Sequence, residues 1–253
     1  MSEVKTLRVL VWDENPHHAP KELYPENLRG AIADGLRELG GTELEVTTAN
    51  LDDPEQGASD ELLNNADVLI WWGHARHGEV EDSVAERVAK RVREGGMGFV
   101  ALHSAHYSKT FRAVLQTTGH LKGGWREADD SEEITVCAPW HPIAEGVENF
   151  TLPDEEMYGG PFEVPPHEVL VFQSRFSVGN EVFPCGITWT VGEGIDPEFT
   201  SGPGGGKGQG EGIGRVFYFR PGHETYPTYF NPIIRKVIYN AVKWTGKLTP
   251  YRG

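Results

Sequence analysis

Cysteine is scarce in this chain of 253 residues: only Cys137 and Cys185 occur, in neither a CxxC pair nor any other ligand-like spacing. That excludes a disulfide framework and a thiolate metal site. Long apolar runs are missing too, since VLIWW at 68–72 is far too short to cross a bilayer. Positive charge is in deficit. The 23 Lys and Arg against 38 Asp and Glu leave a formal charge of −15, which repels phosphate backbones and anionic membrane surfaces. Nucleic acid and membranes are therefore not expected as partners, whereas a neutral polar molecule or a cation is. The amino-terminal stretch MSEVKTLRVLVWDENPHH lacks the apolar core and small-residue cleavage site of a signal peptide. Together with the few cysteines, this makes the cytoplasm the expected compartment.

What is present is ordinary globular material, 38% hydrophobic and 24% charged, enough for one α/β domain over residues 1–253. Short β-branched or aromatic runs alternate with amphipathic segments in the first half, the pattern of a parallel sheet with helices on both faces. Strands are predicted at Leu7–Trp12, Leu44–Thr48, Val68–Trp72 and Gly98–Leu102. Crossover helices are predicted over 25–39, where Leu28, Ile32, Leu36 and Leu39 share a stripe, and over 80–92, where Val84, Val88 and Val92 do. A further helix is expected over 109–118 and a last one over 230–244. Less regular strands are expected at 133–137, 169–174, 186–190 and 215–219, making the far side of the sheet and a cap. The stretch SGPGGGKGQGEGIG at 201–214 imitates a phosphate loop, but Gly208 stands where Ser or Thr is needed and no helix follows. It is expected to be a turn between strands.

The histidines carry the functional signal. His17 and His18 follow the first strand, His74 and His77 follow VLIWW, His103 and His106 follow the fourth strand, and His223 follows VFYF. In an open parallel sheet, the loops after the strands emerge on one edge and meet at the topological switch point. Any one of these imidazoles alone is more ordinarily a satisfied structural residue. Their convergence points to a polar site, and three or four His and carboxylate ligands suit a divalent ion, zinc first. His120, His141 and His167 lack such company and are read as structural.

His103 occupies a strand-turn-helix tip, the place where related hydrolases expose a nucleophile; Ser104 lacks the small flanking residues of a G-x-S-x-G elbow. Two acidic elements can complete the site. Glu156, with Tyr158 as a hydrogen-bonding partner, lies in LPDEEMYGG, and Glu224 follows His223; either carboxylate can move a proton or ligate an ion. Asp154 and Glu155 are read as solvated. Trp12, Trp71, Trp72, Tyr107, Trp125, Tyr158, Tyr226 and Tyr229 attend these loops, and flat aromatic faces beside polar groups suit sugar rings, although one of Trp71 and Trp72 must face the core.

The combination of VWDENPHH, VLIWWGHARHGEV, GFVALHSAHYSKTF, LPDEEMYGGPFEVP and FYFRPGHETYPTYFNPIIRKVIYNAVKW resembles the trehalose-utilisation, or ThuA-like, family over nearly the whole chain. The resemblance implies a class I glutamine amidotransferase-like fold, a flavodoxin-like parallel sheet. In that pattern a cysteine holds the elbow and a His-Glu pair follows a late strand. Here His103 holds the elbow, and His223 with Glu224 the later place. The thiol is absent, so glutamine hydrolysis is not carried over, and the two imidazoles are expected to share a metal with His17, His74 or Glu156 as further ligands. The resemblance also implies a part in catabolism of trehalose or related disaccharides, alongside an NAD-dependent oxidoreductase. No GxGxxG opens a helix after the first strand here, so NAD is not expected on this chain.

The resulting expectation is a zinc-type metalloenzyme, hydrolase or isomerase, acting on a disaccharide or keto-glycoside at the C-terminal edge of the sheet. His17, His74, His103 and His223 are its expected ligands, and Glu156, Glu224 and Tyr158 its catalytic groups. A non-catalytic sugar-binding or regulatory protein and a hydrolase using Ser104 remain as rivals, and the roles of His18, His77 and His106 stay open. A homo-oligomer is expected from the prevalence of closed symmetric assemblies.

Overall fold

The computed structural model describes residues 6–192 and 213–249. Among the described residues, nine strands form one sheet: β1 (Leu7–Asp13), β2 (Leu44–Asn50), β3 (Val68–Trp72), β4 (Gly98–Leu102), β5 (Trp125–Val136), β6 (Phe150–Tyr158), β7 (Val169–Phe176), β8 (Val182–Gly192) and β9 (Ile213–Phe219). Their spatial order is β2-β1-β3-β4-β9-β8-β7-β5-β6. The helices are α1 (Asn27–Gly40), α2 (Asp60–Asn64), α3 (Asp82–Arg93), α4 (Lys109–Leu115) and α5 (Pro232–Thr245). No helix among the described residues is long and apolar enough to cross a membrane. Of the glycine-rich stretch at 201–214, residues 201–212 lie outside the described residues.

Only half of the sheet is parallel. β2, β1, β3, β4 and β9 pair in parallel, whereas β9-β8, β8-β7, β7-β5 and β5-β6 are antiparallel. The parallel sheet expected from the first half is therefore one part of a mixed sheet. The reason lies in the connections: β5 to β8 are joined by links without a crossover helix, and such links return the chain antiparallel. One whole strand escaped sequence reading. LPDEEMY belongs to β6, although Pro153 and three consecutive acids hide any alternation. Proline is tolerated because β6 is the last strand of the sheet, where a backbone donor is dispensable.

The central strands need no alternation because helices cover both faces. β3 and β4 are buried at every position. Trp71 and Trp72 are thus both interior, one on each face; Trp71 stacks on Trp12 with ring centroids 3.5 Å apart. α3 buries its predicted stripe and α1 buries Leu28, Ile32 and Leu36 but leaves Leu39 exposed, and α5 starts where the Asn231 side chain accepts from the Ile233 and Ile234 amides. α4 stops at Leu115, short of the expected 118, because Gln116 turns left-handed.

Two polar devices fix the C-terminal edge. Arg220, just past β9 and fully buried, pairs with Glu132 of β5 and Glu155 of β6. Ser174 of β7 also donates to Glu132, and Thr228 and the Gly222 amide donate to Glu155. Glu155, expected in solvent, is therefore a core residue. Nearer the surface, the Arg76 guanidinium after β3 donates to Asp52 after β2 at 2.8 Å and to the Glu14 carbonyl after β1 at 2.8 Å, while Asn15 donates to Asp52 at 2.7 Å. Three strand-end loops are thereby tied together.

Arg220→Met should destabilise the fold by about 3–5 kcal/mol, because two buried carboxylates lose their counter-charge; replacing Arg220, Glu132 and Glu155 together with apolar residues of similar volume should cost less. Urea titrations of both variants check this. The loop clamp predicts a pH effect. Hydrogen bonds from Arg76 and Asn15 hold the Asp52 carboxyl down at about 2, so its stabilisation is complete above the ordinary value of 3.8 and is lost as pH falls through about 2. Its side chain is 43% exposed, so screening limits the effect to about 1 kcal/mol or less. Asp52→Asn should remove this part of the acid-unfolding curve while leaving the slope above pH 5 unchanged.

Candidate metal centre

Four donors from four separate segments meet above the ends of β3, β4, β6 and β9. One ligand atom each from His74, His103, Glu156 and His223 lies within 4.8 Å of all the others. Tetrahedral zinc with bonds of about 2.0–2.2 Å sets ligand atoms ~3.3 Å apart, so side-chain shifts of about 1 Å close this shell.

Each donor is aimed by its neighbours. Glu14, buried just past β1, accepts from the amides of His74, Ala75 and Arg76 at 2.6–2.9 Å, so a carboxylate from one loop shapes the loop that carries His74. His74 Nδ1 contacts both Glu224 oxygens at 2.8 and 2.9 Å. A carboxylate only accepts, so Nδ1 carries the proton and Nε2 keeps its lone pair for the centre. His103 directly follows β4 with φ of +55°, the strained elbow conformation. Its Nδ1 faces the Arg220 carbonyl at 3.3 Å, which again leaves Nε2 bare. The His223 loop is locked by Trp72 Nε1 donating to the Gly222 carbonyl at 3.0 Å. Glycine is required there: φ is +124°, and a Cβ would lie 2.1 Å from the Tyr229 hydroxyl. His223 Nδ1 lies 2.8 Å from the Thr225 hydroxyl and accepts from the Thr225 amide at 3.3 Å.

The electrostatics favour a cation. Burial, reinforced by His74, His223 and Arg220, holds His103 well below the usual imidazole range, and burial lowers His223 as well. Both are neutral at pH 7. Burial would lower His74 too, but its bond to Glu224 outweighs this and raises it. Burial pushes the Glu156 carboxyl up to about 7. Its Oε2 is buried without a hydrogen-bond partner, 3.4 Å from His103 Nε2. An orphaned carboxylate oxygen among imidazole lone pairs fits a metal ion, since a cation satisfies all of them at once. His18, His74 and Glu224 form a second, more exposed group that could hold a metal; His18 contacts the Glu224 carboxylate from the solvent side.

Of the sequence-predicted residues, His74, His103, His223 and Glu156 come together. Glu224 stands behind His74, and Burial notwithstanding, the His74 bond holds its carboxyl down at about 2. Tyr158 bonds the Ser104 hydroxyl and lies 3.4 Å from the His103 ring nitrogens. His17 is exposed and belongs to neither group, and its neighbour His18 reaches Glu224 instead. The centre opens on a cavity of about 320 Å³ lined by His77, His106, Tyr107, His120 and Trp125 among others. His120, read as structural, thus faces the site, whereas His141 is buried and accepts from the Ile143 amide. Glu14, Glu132, Glu155 and Arg220 were not recognised. The only hint was Asp13-Glu14 placed directly on the end of an apolar strand.

The family model for ThuA, trehalose utilisation, matches residues 8–245. No curated protein matches. A glutamine amidotransferase from Thermotoga maritima superposes with a TM-score of 0.53 at 11% identity, covering 95% of this chain and 98% of the other. The glutaminase domain of Trypanosoma brucei CTPS with bound acivicin gives 0.49 at 8%, covering 98% and 96%. At 11% identity the likeness to the Thermotoga maritima protein shows the fold alone, a class I glutamine amidotransferase-like architecture; the elbow here carries an imidazole, while Cys185 is buried in β8 and Cys137 is exposed. With its family model spanning all of the sheet and the four converging donors, this chain belongs to the ThuA trehalose-utilisation family.

Proposed function

We propose that this protein is a metal-dependent enzyme of disaccharide or keto-glycoside catabolism, with a zinc-type ion held by His74, His103, Glu156 and His223. The observation that carries this reading is the orphaned Glu156 oxygen among three imidazoles turned toward it. A divalent ion at this place supplies Lewis-acid polarisation of a sugar carbonyl or vicinal hydroxyl pair. The chain's own residues do the rest. Glu224 orients His74 through Nδ1, and its contact with half-exposed His18 offers a proton route between the buried site and water. Tyr158 and Ser104 present paired hydroxyls beside His103. Trp125, 67% exposed, and Tyr107, 47% exposed, give the cavity apolar faces for a sugar ring.

The rival with Ser104 as nucleophile draws less support. Ser104 lies one residue past the positive-φ elbow, and its hydroxyl partner is Tyr158, which burial keeps protonated well above its ordinary range.

Elemental analysis of the purified protein should find about one divalent ion per chain. His103→Ala should lose it while keeping the wild-type far-ultraviolet circular dichroism. A wild-type protein that takes up no ion from zinc-supplemented buffer, yet binds disaccharide, would favour the non-catalytic sugar-binding reading. Glu224→Gln should retain the ion but weaken its binding about 10- to 100-fold, as expected when the partner that orients a ligand imidazole is altered; competition with a chromogenic chelator measures this.

A further inference from the structure

Beside the metal group, the cavity has a second polar wall that the proposed chemistry does not use. His106 follows His103 by one short helical turn and is almost wholly buried. Its Nδ1 lies 2.6 Å from the Gly119 carbonyl. A carbonyl only accepts, so Nδ1 must carry the ring proton. Burial lowers the His106 pKa to about 4, which keeps the ring neutral. Nε2 is consequently a fixed hydrogen-bond acceptor. It has no partner among the described residues, and it belongs to a side chain that lines the cavity. A polar atom in that position calls for a donor from outside the protein.

The rest of the wall restricts what that donor can be. No Lys or Arg lines the cavity. His77, on the same wall, is lowered to about 3 by burial and by the nearby His106 and His74, so it too is uncharged. Glu156 contributes an acid, and the whole chain carries a charge of −15. A phosphorylated or carboxylated ligand would find no Lys or Arg counter-charge here, and His74, the lining imidazole whose bond to Glu224 raises it, is already paired with that carboxylate. The exposed faces of Trp125 and Tyr107 add apolar surface at the same cavity.

We propose that His106 is a specificity-determining residue whose Nε2 accepts a hydrogen bond from a hydroxyl of an uncharged, unphosphorylated sugar ring. This rests on the sugar-processing reading above for the class of ligand, but not on the identity or presence of the ion. The Gly119 carbonyl acts through the imidazole by fixing its tautomer, so recognition is built before the ligand arrives. The fixed acceptor selects a hydroxyl over a ketone or a methyl at that position, because neither of those can donate.

Two substitutions separate recognition from packing. In His106→Asn the side-chain amide can still donate to the Gly119 carbonyl but offers no acceptor at the Nε2 position. In His106→Gln the amide oxygen takes the Nε2 position while the Gly119 bond is lost. Calorimetric titration of the full-length protein with glucose, trehalose and their 6-phosphates is the test. The neutral sugars should bind and the phosphates should not. His106→Asn should weaken neutral-sugar binding roughly 10- to 100-fold, with metal content unchanged, and His106→Gln should stay within about threefold of wild type. Tighter binding of a phosphate ester, no binding of either neutral sugar, or wild-type affinity in His106→Asn would each overturn the proposal. Metal content reports separately on the reading beneath it: an ion-free wild type whose sugar binding still depends on His106 would remove the metalloenzyme and leave this subsite standing.

Discussion

The buried guanidinium of Arg220 is the interaction on which the site's geometry depends. It leaves the end of β9, the strand that joins the parallel to the antiparallel half of the sheet, and meets Glu132 and Glu155 on β5 and β6. An ion in so dry an interior is tolerable only with its counter-charges and hydrogen bonds in place. The same residue touches the centre twice more. Its guanidinium donates to the Glu156 backbone carbonyl, and its own carbonyl faces His103 Nδ1. Glu155 in turn holds the Gly222 amide, one residue before His223. Three of the four converging donors are therefore positioned from one charge network.

Burial sets the chemistry that such a scaffold can support. Removing imidazoles from water discourages their protonation, and His77, His103, His106 and His223 are all lowered by it. His74 escapes because Glu224 is bonded to it. The consequence is that the His74, His103, Glu156 and His223 donors converge on one side of the cavity, and neutral His106 and His77 line the other. Each ring's tautomer is decided by what stands behind it: a carboxylate for His74, backbone carbonyls for His103 and His106.

The parallel half of the fold was legible because its strands are uninterrupted apolar runs and its helices carry clean stripes; β1, β3 and β4 lie where the pattern puts them. The antiparallel half was not. β6 contains Pro153 and the acids 154–156, and no local pattern announces that Glu155 and Glu156 are buried. The same limit applies to the centre. His74, His103 and His223 could be gathered from strand ends, since parallel strands deliver their following loops to one edge. His17 and His18 are equivalent by that rule, and only the course of the loop after Asp13, turned by Asn15 in a positive-φ conformation, sends His18 toward Glu224 and leaves His17 exposed.

By itself, the sequence determined the fold class, the edge at which the histidines gather and the residue types available there, because these follow from periodicity and from the direction of parallel strands. Only the tertiary structure decided which carboxylates converge with the imidazoles, which orient a loop or a ring, and which are core ions. Glu14, Glu132, Glu155, Glu156 and Glu224 are chemically identical along the chain. Their roles diverge because hydrogen bonding and desolvation act over a few ångströms in space, between residues up to 206 positions apart in the case of His18 and Glu224, and no spacing along the chain encodes that proximity.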